Sequence, residues 1–236
     1  MTDSGQSMTP VTEKAAEAYQ EALRLCGQAK QSGAFDLSFP LGRWLLELPP
    51  ELERLTLLQS LDLRACVRIN GLGPVAALTS LKSLNLHGCR QISDLNPLTA
   101  LTSLESLDLS WCTQIRLEQL AALASLQFLD LYGCKQITDL KPLAALTSLQ
   151  SLNLSWCKQI SDLKPLAALT SLQSLNLRGC RQISDLGPLA ALPSLRSLNL
   201  SCCKQISDLK PLAALTSLQS LNLSECETAD VWNTLR

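Results

Sequence analysis

Leucines return through this chain at a fixed cadence. Between Leu146 and Ala168 the sequence reads LTSLQSLNLSWCKQISDLKPLAA, and it returns from Leu169 to Ala191 as LTSLQSLNLRGCRQISDLGPLAA, with four differences. Within each unit Leu149, Leu152 and Leu154 follow an LxxLxL spacing. The last pair alternates as a strand does and turns Asn153 to the opposite face. Beyond it Ile160, Leu163, Leu166 and Leu169 stand three residues apart, the spacing of a tight helical turn or an extended spiral. The pattern predicts one short strand and one compact return path per unit. A single unit cannot bury its own apolar side, so the architecture predicted is a solenoid in which each unit packs on its neighbours.

Eight cysteines mark the period. Cys66, Cys89, Cys112, Cys134, Cys157, Cys180, Cys203 and Cys226 are separated by 23, 23, 22, 23, 23, 23 and 23 residues. A small polarisable thiol packs as a hydrophobe and still donates a weak hydrogen bond to a turning backbone, so the column predicts a buried structural ladder. Neighbouring strands of a parallel stack lie about 4.8 Å apart, beyond the roughly 3.5–4.5 Å between Cβ atoms of a disulfide. Ligands in a straight row also cannot surround a tetrahedral zinc ion. Reduced thiols follow, with no metal and no cofactor. Asp162, before Leu163, Lys164 and Pro165, predicts a helix N-cap; Asp94, Asp139, Asp185 and Asp208 repeat it.

The LxxLxxLxLxxCxxI pattern resembles the leucine-rich repeat, and ISDLKPLAALTSL (Ile160 to Leu172) is similar to the repeats of bacterial internalins. The resemblance runs from about Phe35 to Cys226. Internalin-type repeats usually carry Asn where these carry Cys and are a residue shorter, so the chain also resembles the cysteine-containing subtype found in F-box adaptors. The family implies an α/β fold: a right-handed curved solenoid, a concave parallel sheet of about eight or nine short strands, short helices or 3-10 turns outside, and binding by the concave side. It does not imply catalysis. No F-box, sortase signal or secretion segment accompanies the repeats.

Three segments are expected: a tail and capping helix over 1–33, repeats over 34–224, and a partial repeat with cap over 225–236. Val11, Ala15, Tyr19, Ala22, Leu23, Cys26 and Ala29 fall at helical spacing and stop at Gly33. Phe35 and Leu37 supply the first strand. At the far end Val231, Trp232 and Leu235 are expected to cover the last open unit; otherwise that end favours self-association. One unit, Cys112 to Leu123, is a residue short and lacks both Asp and Pro, which predicts a more regular helix or a local bend.

A net charge of -1 gives no global reason to bind nucleic acid or an anionic membrane. No signal-peptide pattern and no long apolar run appears, so a cytoplasmic or delivered protein, of bacterial type, is expected. The single histidine, His87, has no evident catalytic partners, and no phosphate loop, dinucleotide fingerprint or HExxH is present. The carboxylates Asp108 and Asp130 on neighbouring strands read as exposed like charges. Arg90, Lys135, Lys158, Arg181 and Lys204 form a basic column without aromatic interleaving, read as a solvated flank. Cys202, outside the ladder, reads as an exposed thiol.

Variation between units points to the site. The outward positions carry a serine column interrupted by Phe128, then an Asp/Asn column, and then diversify through Arg64, His87, Ser110, Tyr132 and Arg178 into Trp111 and Trp156. Trp111, Phe128, Tyr132 and Trp156 fall on three consecutive units, within about 10 Å across the strands. Clustered aromatics offer large contact area at small entropic cost. The expectation is a non-catalytic protein-binding module using Trp111, Phe128, Tyr132, Trp156, Arg178, His87 and Arg64. A self-associating scaffold and a phosphate or nucleic-acid binder are the rival readings.

Overall fold

The computed structural model describes residues 10–64 and 66–226. Helix α1 (Pro10–Ser32) opens the fold and ends where Gly33 takes φ 64°, as predicted. Its inward stripe is Ala15, Ala18, Ala22, Cys26 and Ala29, small side chains that let the helix axis approach the first strand closely. Val11, expected inside, is 44% exposed and lines an open groove with Leu46; Leu23 is half-exposed. Alanine spacing, and not the larger apolar residues, sets the buried stripe.

Nine parallel strands among the described residues form one sheet in chain order: β1 (Asp36–Ser38), β2 (Ser60–Asp62), β3 (Ser83–Asn85), β4 (Ser106–Asp108), β5 (Phe128–Asp130), β6 (Ser151–Asn153), β7 (Ser174–Asn176), β8 (Ser197–Asn199) and β9 (Ser220–Asn222). Each strand defines one rung. The register is strict, Leu107 against Leu129 against Leu152 against Leu175, so identical positions stack from rung to rung. In β1 only Leu37 turns inward; the Phe35 side chain is 54% exposed, and the residue contributes through its carbonyl, which accepts from the amides of Gln59 and Ser60.

The return path is a 3-10 turn in each of rungs one to eight, for example Lys141–Ala145, Lys164–Ala168 and Lys210–Ala214. Three residues per turn put Leu163, Leu166, Leu169 and Leu172 on one inward line, and all four are buried. Asp162, predicted as the cap, sits one place ahead of the observed cap residue Leu163: its Oδ1 accepts from the Lys164 amide at 2.9 Å, and Asp94, Asp139, Asp185 and Asp208 do the same for the residue two further on. The short unit does not become a regular helix. Arg116 stands where rungs three and five to eight have Asp, yet Glu118–Ala122 is the same 3-10 turn with Leu117, Leu120 and Leu123 buried.

The cysteine ladder is buried from Cys66 to Cys203, with Cys226 half-buried on the last described rung. From Cys89 to Cys226 each thiol reaches back one rung: Cys157 Sγ donates to the Leu131 carbonyl and Cys180 Sγ to the Leu154 carbonyl, both at 3.1 Å. The Leu131 carbonyl also accepts from the Cys134 amide of its own rung. One carbonyl thus closes its own turn and ties the following one. All ten cysteines are free thiols. Leu218, Leu221 and Leu223 on the last described rung are only partly buried; the expected cover by Val231, Trp232 and Leu235 lies outside the described residues.

Candidate functional site

Where each strand ends, a side chain of the Asp/Asn column turns back on its own backbone. Asn153 Oδ1 accepts from the Ser155 amide, Asp130 Oδ1 from the Tyr132 amide and Asp108 Oδ1 from the Ser110 amide. The column is therefore not simply solvent-facing, and its recurrence two residues before a fixed turn is the signal in the residues for this role. Ser110, Ser155 and Ser201, read as outward, are buried, and their hydroxyls donate to that same Asx oxygen. The turn consumes them.

The next residue takes positive φ in rung after rung. Gly88, Gly133 and Gly179 lie at 75°, 71° and 71°, and Trp111, Trp156, Cys202 and Glu225 adopt 60–62°, a left-handed conformation costing a residue with a Cβ roughly 1–2 kcal/mol. Each tryptophan is followed on the next rung by glycine, and its ring lies on that glycine. A Cβ at Gly133 would stand 3.2 Å from the Trp111 ring, and one at Gly179 would stand 3.0 Å from the Trp156 ring. Tryptophan and glycine interlock across neighbouring rungs. Cys202 is a correction: the thiol is buried, and its Sγ donates to Glu225 Oε2 at 3.3 Å.

The four aromatics divide into two groups. Trp111 meets Tyr132 edge to face, with centroids 5.2 Å apart and planes at 88°, while Trp156 lies two rungs further along the same edge. Phe128 opens β5 four residues before Tyr132, about 13 Å away along an extended chain, so the spacing counted across the strands missed this separation. Phe128 is 48% exposed, between Ser106 and Ser151 in the strand register. Basic residues do accompany the tryptophans, against expectation: Lys135 Nζ is 5.8 Å from the Trp111 ring centroid, and Lys158 and Arg181 lie 5.5 and 5.9 Å from that of Trp156. Lys135 and Arg181 reach their rings from the following rung, and Lys158 from two residues along the same rung.

Of the polar candidates, Arg64 is paired with Asp62, Nη2 to Oδ2 at 2.7 Å, and Arg178 is exposed. His87 Nδ1 lies 2.7 Å from Ser110 Oγ. The serine gives its hydroxyl proton to Asp108, so its oxygen accepts from His87 Nδ1–H and leaves Nε2 as the outward nitrogen. The hydroxyl lies between carboxylate and imidazole, which leaves it tied to Asp108 instead of activated by the ring. Asp130 is half-buried; desolvation raises its carboxyl above the usual range, against the opposing hydrogen bonds from the Tyr132 amide and Asn153. Among the described residues no group of three or more His, Cys, Asp or Glu side chains is placed to hold a metal ion, and no helix is long and apolar enough to cross a membrane.

Comparison with known proteins accords with this geometry. The family described as leucine-rich repeat region matches residues 41–234. Internalin C2 of Listeria monocytogenes is 29% identical, over 94% of this chain and 100% of that one, with a TM-score of 0.65. Internalin inlF of the same organism is 25% identical, over 94% of this chain and 73% of that one, with a TM-score of 0.67. TLR13, solved as a complex with ssRNA13, is 25% identical over 81% of this chain and 29% of that one, with a TM-score of 0.62. No curated protein matches. A strict parallel ladder of LxxLxL rungs and a family match across most of its length make this chain a member of the leucine-rich repeat family, with internalin-like repeats.

Proposed function

We propose that the chain is a non-catalytic protein-binding module that takes its partner on the sheet face and the adjoining aromatic edge. The leucine-rich repeat fold is generally an interaction scaffold, and the observation that carries this assignment to a place is Phe128. Every other rung from β2 to β9 presents serine at its position, and this one presents a large ring at 48% exposure. Exposed aromatics of this kind anchor interfaces. The ten free thiols fit a reducing compartment. The test is affinity capture with the purified chain, identification of the captured protein and rebinding of that protein in pure form. Phe128→Ser is expected to weaken rebinding at least about tenfold with an unchanged melting temperature. Equal rebinding by Phe128→Ser and by Trp111→Ala/Trp156→Ala would remove the sheet face and its edge from the reading.

A second reading has its own observation. Lys135 beside Trp111, and Lys158 and Arg181 beside Trp156, combine rings and cations as single-strand nucleic-acid binders do. The solved TLR13 complex contains ssRNA13. Binding of a single-stranded RNA oligonucleotide that weakens steeply with salt, and that Lys135→Gln/Lys158→Gln abolishes, supports this reading; no binding at low salt rejects it.

A further inference from the structure

The sheet face is not uniform in charge. Rungs two, four and five carry Asp62, Asp108 and Asp130 at the position where rungs six to nine carry Asn153, Asn176, Asn199 and Asn222. Asp62 is neutralised by Arg64. Asp108 and Asp130 are register partners on adjacent strands, and neither is in an ion pair with a cation among the described residues. The two oxygens of Asp130 accept from the Tyr132 amide and from Asn153 Nδ2, whereas Asp108 engages the Ser110 amide and hydroxyl through Oδ1 alone. Its Oδ2 is left to the open face.

Phe128 stands beside this pair. It lies two residues before Asp130 on the same strand and on the same face, about 6.6 Å away in extended chain. That separation is comparable to an extended Lys or Arg side chain, whose apolar stem covers a ring while its head stays in a polar setting. Serines on both flanking strands, Ser106 and Ser151, leave the ring open on either side. From this juxtaposition we propose that the sheet face over rungs four to six seats an extended peptide segment of a protein partner, with a Lys or Arg stem lying on Phe128 and its head between Asp108 and Asp130. The proposal rests on the reading of this face as a protein-binding surface and adds the chemistry of the partner: a basic, extended segment. Charge complementarity selects it over an acidic one.

The repeat itself supplies variants that fold. Asn already occupies the Asp108 and Asp130 position in five other rungs, accepting the same backbone amide in each, and serine is the ordinary residue at the Phe128 position. Fluorescence anisotropy with a labelled synthetic peptide alternating Lys and Thr, compared with Glu–Thr and Gln–Thr versions, reads the preference. The Lys–Thr peptide is expected to bind at least about tenfold tighter than the Gln–Thr one, and Asp108→Asn/Asp130→Asn and Phe128→Ser are each expected to remove that margin. Glu53→Gln/Glu118→Gln withdraws the same charge from exposed positions on the 3-10 side and is expected to leave binding unchanged. Equal binding of the Glu–Thr peptide, indifference to the Asp pair, or equal loss in the Glu53/Glu118 control would overturn the proposal. A captured protein partner lost with Phe128→Ser but retained with the Asp pair replaced defeats the basic-segment inference alone; retention with both defeats the protein-binding reading as well.

Discussion

The interlock of tryptophan on glycine is open to a controlled measurement, because the chain contains its own reference. Gly88 and Gly179 occupy equivalent turns with φ 75° and 71°, but a Cβ at Gly88 meets nothing within 4 Å while one at Gly179 meets the Trp156 ring at 3.0 and 3.1 Å. Gly88→Ala therefore incurs only the left-handed backbone cost, about 1 kcal/mol. Gly179→Ala incurs the same cost and an overpacking term of about 1–3 kcal/mol, since the Trp156 ring already lies against that backbone. For a chain of this length each kcal/mol corresponds to about 2–4 °C in melting temperature, so the two variants should separate clearly in thermal and urea unfolding followed by circular dichroism. In a Trp156→Ala background the penalty of Gly179→Ala is expected to fall to the Gly88→Ala value. Equal destabilisation by the two glycine variants, or no rescue in the Trp156→Ala background, would refute the interlock.

Two further predictions concern the stack. Asp162→Ala removes the acceptor of the Lys164 amide and is expected to lower stability by about 0.5–2 kcal/mol, whereas Arg116→Asp supplies the acceptor that its rung lacks and is expected to raise it by about 0.5–1 kcal/mol; urea midpoints check both signs. Burial pushes the thiols of Cys66, Cys112, Cys157 and Cys203 up to about 12, against about 8.5 in an unfolded chain. A group raised on folding contributes fully below its unfolded value and loses that contribution as pH climbs to the folded one, so stability should hold near neutrality and decline between about pH 9 and 12. Thiol titration with Ellman's reagent near neutral pH should find the ladder from Cys66 to Cys203 unreactive until urea is added, and rapid labelling of more than the half-buried Cys226 in the native chain would contradict that burial.

Much of the fold was legible in the residues. Strict spacing of Leu149, Leu152 and Leu154 fixed the strand, three-residue spacing fixed the 3-10 return, and the cysteine column announced its own burial. Each is a local or one-period pattern, and stacking in register makes one period enough. The helix face was read less well, since Val11 and Ala18 differ in size and not in periodicity. The site was legible only in outline. Phe128 stood out as a break in a serine column, but its distance from Tyr132 required the direction of the strand.

The order of residues is enough to specify the repeating core: which side chains face inward, how often, and why no unit stands alone. Contacts between rungs arise only once the chain has folded. Trp111 over Gly133, Cys157 bonded to the Leu131 carbonyl, Arg181 beside the Trp156 indole, and Asp108 against Asp130 are all contacts between residues about one period apart in sequence that the parallel register brings side by side. The physical reason is that inward packing is set by hydrophobic burial, which a pattern of apolar positions specifies. The outward surface is set by neighbours across the hydrogen-bonded ladder, and those become neighbours only when the coil closes.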